Sequence, residues 1–495
     1  MGCRVAPALR IFQATLGALL YAVSPLASAH TFAQVYTLPV PFWLYAWTAA
    51  AVLIVSFVIA GLFLTGQPSA DGRKPEPAGY PHRIPPRLLR TLQALSLGGL
   101  LLSMLTGFLG TRQVLLNFNM TFFWIVFVLG FTYFTALAGN LYALLNPWRV
   151  ITDGLSQVLP AYGRGRFRYP AAAGYAPALL LYAGFIWLEL FGRMTPFSLS
   201  SWLAAYTGLN LLAVALVGTA AWFRYGEFFS VILRLVARLA PIDFEQLPSG
   251  ATGRFRLRLP LSGLLGRPAD RRSLVVFVLF MLSATAFDGL HEARPWVALY
   301  WNTLYQDVFS IWLGENPFVA FPALRNGYRW WQTLWLLASP LVYLAAYLGT
   351  IEAVRRLTGS RFDRWTLAHR FLHSLLPIVL VYNVTHYYTL IQTQGVRIIA
   401  LISDPFGLGW NLFGTAEWLR GTIVPDTTVV WHLQVALLLA GHVASVVVAH
   451  LEALRIFPDR RTATLSQLPM LALMVTFTVF GLWILSLPLD TGGYG

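Results

Sequence analysis

Histidines and carboxylates near the ends of long apolar segments are the residues of this sequence best suited to chemistry. Asp288, His291 and Glu292 occur together in FDGLHEA, and their spacing of three and four residues places them on one side of a continuing helix. His386 lies late in a second apolar segment, and His432 lies early in a third. Imidazole nitrogens bind copper and zinc, whereas added carboxylates favour zinc or a second hard ion. The pattern predicts a divalent metal, copper or zinc, with these three histidines as candidate ligands.

A fourth histidine, His30, follows an N-terminus that has the parts of a secretory leader. Arg4 and Arg10 form a positive region before the apolar run IFQATLGALLYAV, and the small residues ASA at 27–29 form a cleavage site. We therefore predict that residues 1–29 are a signal peptide and that the mature chain starts at His30. Its imidazole and free amine, with a second imidazole, would make a three-nitrogen copper site of the histidine-brace kind. An uncleaved signal anchor is the alternative, and it would leave no free amine.

The composition indicates a protein that is built into a membrane. The chain has 495 residues, of which 57% are hydrophobic and only 11% are charged, whereas soluble domains average about 25% charged residues. Apolar stretches of about 18 residues or more recur along it, and each is long enough to cross a bilayer as a helix. The sequence therefore predicts an all-α, polytopic transmembrane helical bundle.

About ten spans follow the leader, and together they make residues 30–495 a single helical membrane domain. The predicted spans are 41–64, 91–110, 121–144, 173–192, 203–223, 273–290, 332–353, 371–391, 429–453 and 466–488.

Arginine and lysine set the orientation of these spans. Every second connecting segment is strongly basic, and the basic ones are 65–90, 145–172, 224–272, 354–370 and 454–465. Basic segments stay on the cytoplasmic side, so this alternation predicts that His30 and the C-terminus both lie outside. The same alternation explains the net charge of +15 without a nucleic-acid partner.

The two longest outer segments, 291–331 and 392–428, are rich in aromatic residues, Gly and Pro. Trp and Tyr side chains concentrate at the membrane–water interface. We therefore expect these two outer aromatic loops to form a cap over the outer end of the bundle.

The sequence lacks the motifs that mark other cofactor sites and catalytic nucleophiles. The only cysteine is Cys3, inside the leader, so the mature chain would have no disulfide and no thiolate site. There is no Walker A loop, no G-x-S-x-G elbow and no C-x-x-C-H haem motif. Non-covalent haem between His373 or His386 and a histidine of the ninth span stays open. His442 is expected to be hydrogen-bonded between helices rather than to bind metal.

Five segments carry a resemblance to a known family: AHTFAQVYTLPVPFWLYAW, NMTFFWIVFVLGFTYFTALAGNLYALLNPWRVI, FDGLHEARPW, SDPFGLGWNLFGTA and GHVASVVVAH. Together they resemble bacterial membrane proteins known as fenitrothion hydrolases, over most of the chain from His30 to about Leu454. The resemblance implies a multi-pass enzyme of the bacterial inner membrane that hydrolyses the P–O–aryl bond of a phosphotriester such as a phosphorothioate insecticide. It also implies a lipophilic small-molecule substrate and a second membrane subunit as a candidate partner.

The resemblance supplies no catalytic residues, so roles come from the residue pattern alone. Metal-activated hydroxide would attack phosphorus and expel a nitrophenolate. His30, His386 and either His291 or His432 would hold the metal, and Asp288 or Glu292 would orient the water. These two carboxylates are the candidate catalytic residues.

Two other interpretations of the same residues are open. The histidines can be interhelical hydrogen-bonding groups without a metal. The chain can also be a non-enzymatic membrane protein that handles copper, transports a solute or supports a partner subunit, with His442 and the polar stripe around His386 lining a pathway.

Overall fold

The computed structural model describes residues 41–63, 79–247, 250–266, 268–418, 423, 425–457 and 459–487. The predicted signal peptide and His30 lie outside the described residues. Within these residues, eleven helices form the bundle, and we number them α1 to α11: Phe42–Phe63, Pro86–Leu109, Phe118–Ala138, Ala176–Phe191, Pro196–Val217, Phe228–Val236, Arg272–His291, Pro317–Thr358, Arg364–Thr393, Thr427–Ile456 and Arg460–Ser486.

The described chain contains nine helices long and apolar enough to cross a membrane, and the shorter apolar helix α4 adds a tenth candidate. Each of the ten predicted spans coincides with one of these helices. The prediction of an all-α, polytopic bundle is therefore confirmed. α4 has 16 residues, which is slightly below the usual length of a membrane span.

Short helices connect these spans. They lie at Val114–Leu116, Tyr142–Leu145, Pro147–Val158, Pro160–Arg164, Ala171–Ala173, Thr219–Ala221, Trp222–Gly226, Ser262–Leu264, Arg294–Ala298, Leu299–Phe309, Ser310–Leu313, Gly395–Arg397 and Ile398–Ser403.

Side-chain caps fix where several helices begin. The Asp363 carboxylate accepts hydrogen bonds from the backbone N–H groups of Trp365 and Thr366 at the start of α9. The Thr366 hydroxyl also donates to this carboxylate, and these bonds lower the pKa of the Asp363 carboxyl. Asp426 caps α10 in the same way, through the N–H groups of Thr428 and Val429. These caps satisfy donors that the first helical turn leaves without partners.

The helix α6 corrects one sequence expectation, which treated 224–272 as a basic loop. Phe228 and Phe229 are buried against aromatic rings of neighbouring spans, such as Phe185. The fully buried Glu227 carboxylate caps α6, accepting from the Ser230 N–H at 2.7 Å and from the Tyr206 hydroxyl at 2.6 Å. The sequence FFSVILRLV is apolar but too short to span, so the chain inserts it into the bundle and returns.

A small antiparallel sheet is the second feature that the sequence did not predict. Its strands β1 His82–Arg83, β2 Ile242–Leu247 and β3 Gly250–Leu257 are ordered β1-β3-β2. Asp243 in β2 binds the Arg256 and Arg258 guanidinium groups at 3.0 and 3.1 Å. The sheet thereby joins two basic segments that the arginine pattern assigns to the inner face.

The outer segment 291–331 is helical rather than a loop. Its aromatic residues form a second small core of Tyr300, Tyr305 and Tyr328 with Ala320 and Leu324. α8 has 42 residues, so it is about 63 Å long at about 1.5 Å per residue. A bilayer core is only about 30 Å thick, so the N-terminal part of α8 belongs to the outer aromatic region. The other outer segment, 392–428, keeps irregular structure over most of its described residues.

Candidate functional site

Asp288 and His386 form the centre of the candidate site. Asp288 lies in the last turn of α7, and His386 lies two turns before the end of α9. The His386 Nε2 atom is 2.8 Å from the Asp288 Oδ2 atom. The Asp288 side chain is 5% exposed and that of His386 is 21% exposed. The structure therefore brings together two of the predicted site residues in a direct, largely desolvated contact.

Two further residues extend this pair, and the sequence analysis missed both. The Tyr387 hydroxyl lies 2.7 Å from Asp288 Oδ2 and 2.9 Å from Glu189 Oε1, so it bridges two carboxylates. Glu189 belongs to α4, inside the predicted span 173–192. An ionisable residue at membrane depth is itself a functional signal, and this signal could have identified Glu189. Nothing in the local sequence distinguishes Tyr387 from Tyr388.

His291 and Glu292 lie beside this group at the end of α7. The His291 Nδ1–H donates to the backbone oxygen of Asp288 at 2.7 Å, and its ring stacks on Phe287. The His291 Nε2 atom is 3.9 Å from Glu292 Oε1. The Glu292 side chain is 35% exposed, so it faces outward while Asp288 faces inward. Of the two predicted catalytic carboxylates, Asp288 is the one that occupies the interior.

His432 is not brought into this group. The Gln434 amide donates to the Thr385 carbonyl at 2.7 Å, which aligns α10 with α9 near the level of His386. Residues two apart on a helix point about 200° apart, so His432 faces away from α9. Its Nδ1–H donates to the Thr428 carbonyl, and its ring lies edge-on to Tyr45 of α1. The prediction grouped His432 with His386 by depth alone, and depth does not determine the face.

A cavity of about 80 Å³ adjoins the carboxylates. Its walls come from α3, α4, α6, α7 and α9. Glu189, Asp288 and Tyr387 contribute polar atoms to it, and most of the other lining side chains are apolar or aromatic. The described lining includes two carboxylates and no Lys or Arg. Charges in such a low-dielectric environment interact more strongly than in water.

This arrangement is suited to proton transfer at the cavity wall. A carboxylate that is hydrogen-bonded to an imidazole can accept a proton from water while the imidazole stabilises its charge. Asp288 is the group of the pair that faces the cavity, because Asp288 lines it and His386 lies behind Asp288.

The histidine tautomers bear on the predicted metal. His291 and His432 each use Nδ1 to bond a backbone carbonyl, so the lone pair of each ring is on Nε2. Metal-ligating histidines commonly have this arrangement. Within the described part of the chain, no three His, Cys, Asp or Glu side chains are grouped to hold a metal ion together. A metal site here would therefore need a further donor, and His30 lies outside the described residues.

Other histidines lie toward the opposite end of α9 and α10. His442 and His450 are fully buried, and His442 donates Nδ1–H to the Leu438 carbonyl. The His450 Nδ1 atom is paired with the Gln467 amide. Among the described residues, His442 does not bond between helices as expected, because its Nδ1–H donates within its own helix and its Nε2 atom has no hydrogen-bond partner there. His373 Nδ1 lies 3.2 Å from the Arg238 guanidinium. Guanidinium is a permanent donor, so Nδ1 of His373 accepts.

Comparison with known proteins leaves these residues to be interpreted on their own chemistry. No family model, no curated protein and no solved structure matches the chain.

Proposed function

We propose that this protein is a membrane-bound organophosphate hydrolase of the bacterial inner membrane, alone or as one subunit of a larger enzyme. The observation that carries the proposal is the Asp288 carboxylate, which lines an apolar cavity and is held by His386 and Tyr387. The family resemblance of the sequence supports the same reaction.

The proposed substrate is a neutral, lipophilic phosphotriester with an aryl leaving group. Asp288 takes a proton from water as the water oxygen attacks phosphorus. The P–O–aryl bond breaks, the aryl oxygen leaves as a nitrophenolate, and the phosphodiester remains. His386 stabilises the charge changes at Asp288, and Tyr387 holds the carboxylate in place. The proton leaves the site with the products, so the carboxylate is restored.

A divalent copper or zinc ion would supply a water of lowered pKa and polarise the phosphoryl oxygen. The residues that would hold it are His291 and His386 with the imidazole and amine of His30. His432 points to the other face of α10 and would join only if the N-terminal segment brings donors to that face. The chain's own acid–base residues are the same with or without the ion.

The test is nitrophenol release by membranes that contain the protein. Membranes with the wild-type chain, co-expressed with the candidate second membrane subunit if required, should hydrolyse a nitrophenyl phosphorothioate. Asp288→Asn should reduce the rate at least about 100-fold, as loss of a general base typically does. Asp307→Asn is the matched control, because Asp307 is an exposed carboxylate of the outer aromatic region. Equal rates for both variants would contradict the assignment of Asp288.

A copper-handling or transport protein is the second candidate. It is favoured by the buried histidines His442 and His450, which lie away from the cavity and have no role in hydrolysis. The Nε2 atoms of both have no hydrogen-bond partner among the described residues. Two measurements separate the candidates. One is metal analysis of the purified chain, and the other is the activity of the chain expressed alone and with the candidate second subunit. Bound copper without hydrolysis would favour a copper-handling protein. Hydrolysis only in the presence of the second subunit would indicate that this chain is one subunit of the enzyme.

A further inference from the structure

The cavity beside Asp288 is smaller than the ligand that the proposed function requires. It has a volume of about 80 Å³, whereas pockets for drug-sized ligands have about 300–1,000 Å³. This space is enough for several water molecules, but an aryl phosphotriester does not fit. The helices around the cavity must therefore separate somewhere before such a ligand can bind.

The contact line between α3 and α9, which we name the seam, forms one wall of the cavity. Val128 and Thr132 of α3 and Leu380 and Asn383 of α9 line the cavity at this wall. All four side chains are only half-buried. Part of each of these side chains therefore stays accessible at membrane depth, where lipid surrounds the bundle.

Two contacts illustrate how α3 meets α9 and the short helix Gly395–Arg397 that follows it. Near the outer surface, Gly395 approaches Ile125 so closely that an added Cβ would lie 3.1 Å from the Ile125 Cγ2 atom. Deeper in the membrane, the Tyr133 hydroxyl donates to Asn383, 2.9 Å from its Oδ1 atom and 3.2 Å from its backbone oxygen. On α3, the cavity-lining residues Val128 and Thr132 lie between these two contact positions.

α3 has an unusual conformation along this seam. Thr121–Phe131 forms eleven residues of π-helix, and α-helix continues from Thr132. π-helical turns are rare and occur often at functional sites. A return of some turns to α-helix would rotate Val128 relative to Tyr133 and change the wall of the cavity without unfolding the span.

We propose that the cavity is loaded sideways from the bilayer, through the seam between α3 and α9, with the Tyr133–Asn383 hydrogen bond as its latch. The ligands are uncharged molecules that partition into the bilayer. This inference rests on the proposed function for its substrate class. Phe134 and Leu137 of α3 are 50% and 68% exposed, so lipid-facing surface lies directly beside the seam.

The experiment uses single cysteines, because Cys3 is the only native cysteine. In a Cys3→Ser background, Thr132→Cys places a thiol at the cavity wall. Leu137→Cys is the lipid-facing control and Asp307→Cys is the water-facing control. Each variant in native membranes is treated with a bilayer-partitioning maleimide or with a sulfonated, water-soluble maleimide.

With the lipophilic reagent, Thr132→Cys should react as Leu137→Cys does. With the sulfonated reagent, Thr132→Cys should react at least about tenfold more slowly than Asp307→Cys. Adding Tyr133→Phe or Asn383→Ala should raise the lipophilic labelling rate of Thr132→Cys several-fold and leave that of Leu137→Cys unchanged. The unchanged control shows that the fold is intact.

Sulfonated labelling of Thr132→Cys as fast as that of Asp307→Cys would overturn lateral loading. Equal lipophilic rates with and without the latch variants would overturn the role of Tyr133 and Asn383. None of these measurements needs hydrolysis, so their outcome is independent of whether membranes release nitrophenol.

Discussion

The His386 imidazole lies 2.8 Å from the Asp288 carboxylate, and the two residues come from different helices, α9 and α7. Asp288 is 6% exposed and lines the cavity. A buried carboxylate has a large desolvation penalty unless it is paired. The imidazole therefore both stabilises the carboxylate and gives it a partner for proton transfer.

Removal of His386 should reduce hydrolysis strongly. We expect His386→Ala to lower the rate of nitrophenol release about 100-fold or more, since the cavity-facing carboxylate loses its hydrogen-bonded imidazole. His432→Ala is the matched control because His432 lies on an exposed face of α10. Similar losses of activity in both variants would show that the face of α10 that carries His432 contributes to hydrolysis. The Asp288–His386 pair would then not be the centre of the site.

Tyr387 should be more important than its neighbour Tyr388. Tyr387→Phe removes the hydroxyl, and its single proton, that lies between the Asp288 and Glu189 carboxylates. We expect a loss of about 1.5–3 kcal/mol in the free energy of unfolding, the usual contribution of one hydrogen bond to a charged group, and about tenfold lower activity. In Tyr388→Phe the hydroxyl lost is the one that accepts from Gln392. Thermal unfolding in detergent and initial rates measure both effects, and equal behaviour of the two variants would argue against the bridge.

Glu227 should stabilise the inserted helix α6. Glu227→Gln puts an amide donor where Tyr206, Asn146 and the Ser230 N–H already donate. We expect a decrease of about 1–3 kcal/mol in the free energy of unfolding. Asp153→Asn is a surface control, because the Asp153 side chain is 50% exposed. Unchanged thermal stability of Glu227→Gln would mean that packing of α6, and not its cap, holds it in the bundle.

Metal dependence has its own test at the N-terminus. If cleavage occurs after residue 29 and His30 binds the ion, N-terminal sequencing should begin with His-Thr-Phe. A chelator should then abolish hydrolysis, and added copper or zinc should restore it. His30→Ala should lose the bound metal. Full activity after chelation, together with a mature chain that starts elsewhere, would contradict a metal-dependent reaction. Acid–base chemistry by Asp288 and His386 would then be the remaining mechanism.

The sequence predicted the spans well because their signal is simple. Each span needs a run of apolar residues longer than the bilayer core, and such a run is visible without any knowledge of neighbours. The same rule failed for Phe228–Val236, which is apolar but only nine residues long. Its insertion depends on partners such as Phe185 and Tyr206, which come from distant parts of the chain.

The sequence predicted the membrane depth of the site residues but not the helix faces on which they lie. Asp288, His291 and His386 were expected at one level of the membrane, and the structure places Asp288 and His386 in contact. His432 shares that level but faces Tyr45. Glu189 and Tyr387 join the site only because α4 packs beside α7 and α9, and a single sequence does not specify which helices are neighbours.

The three-stranded sheet has a mechanical consequence. It ties the segment before α2 to the segment after α6, and Asp243 reinforces it through two guanidinium groups. Helices fastened together at one end can splay only at the other. Any separation of α2 from the segment that follows α6 must therefore start at the end of α2 that lies away from the sheet.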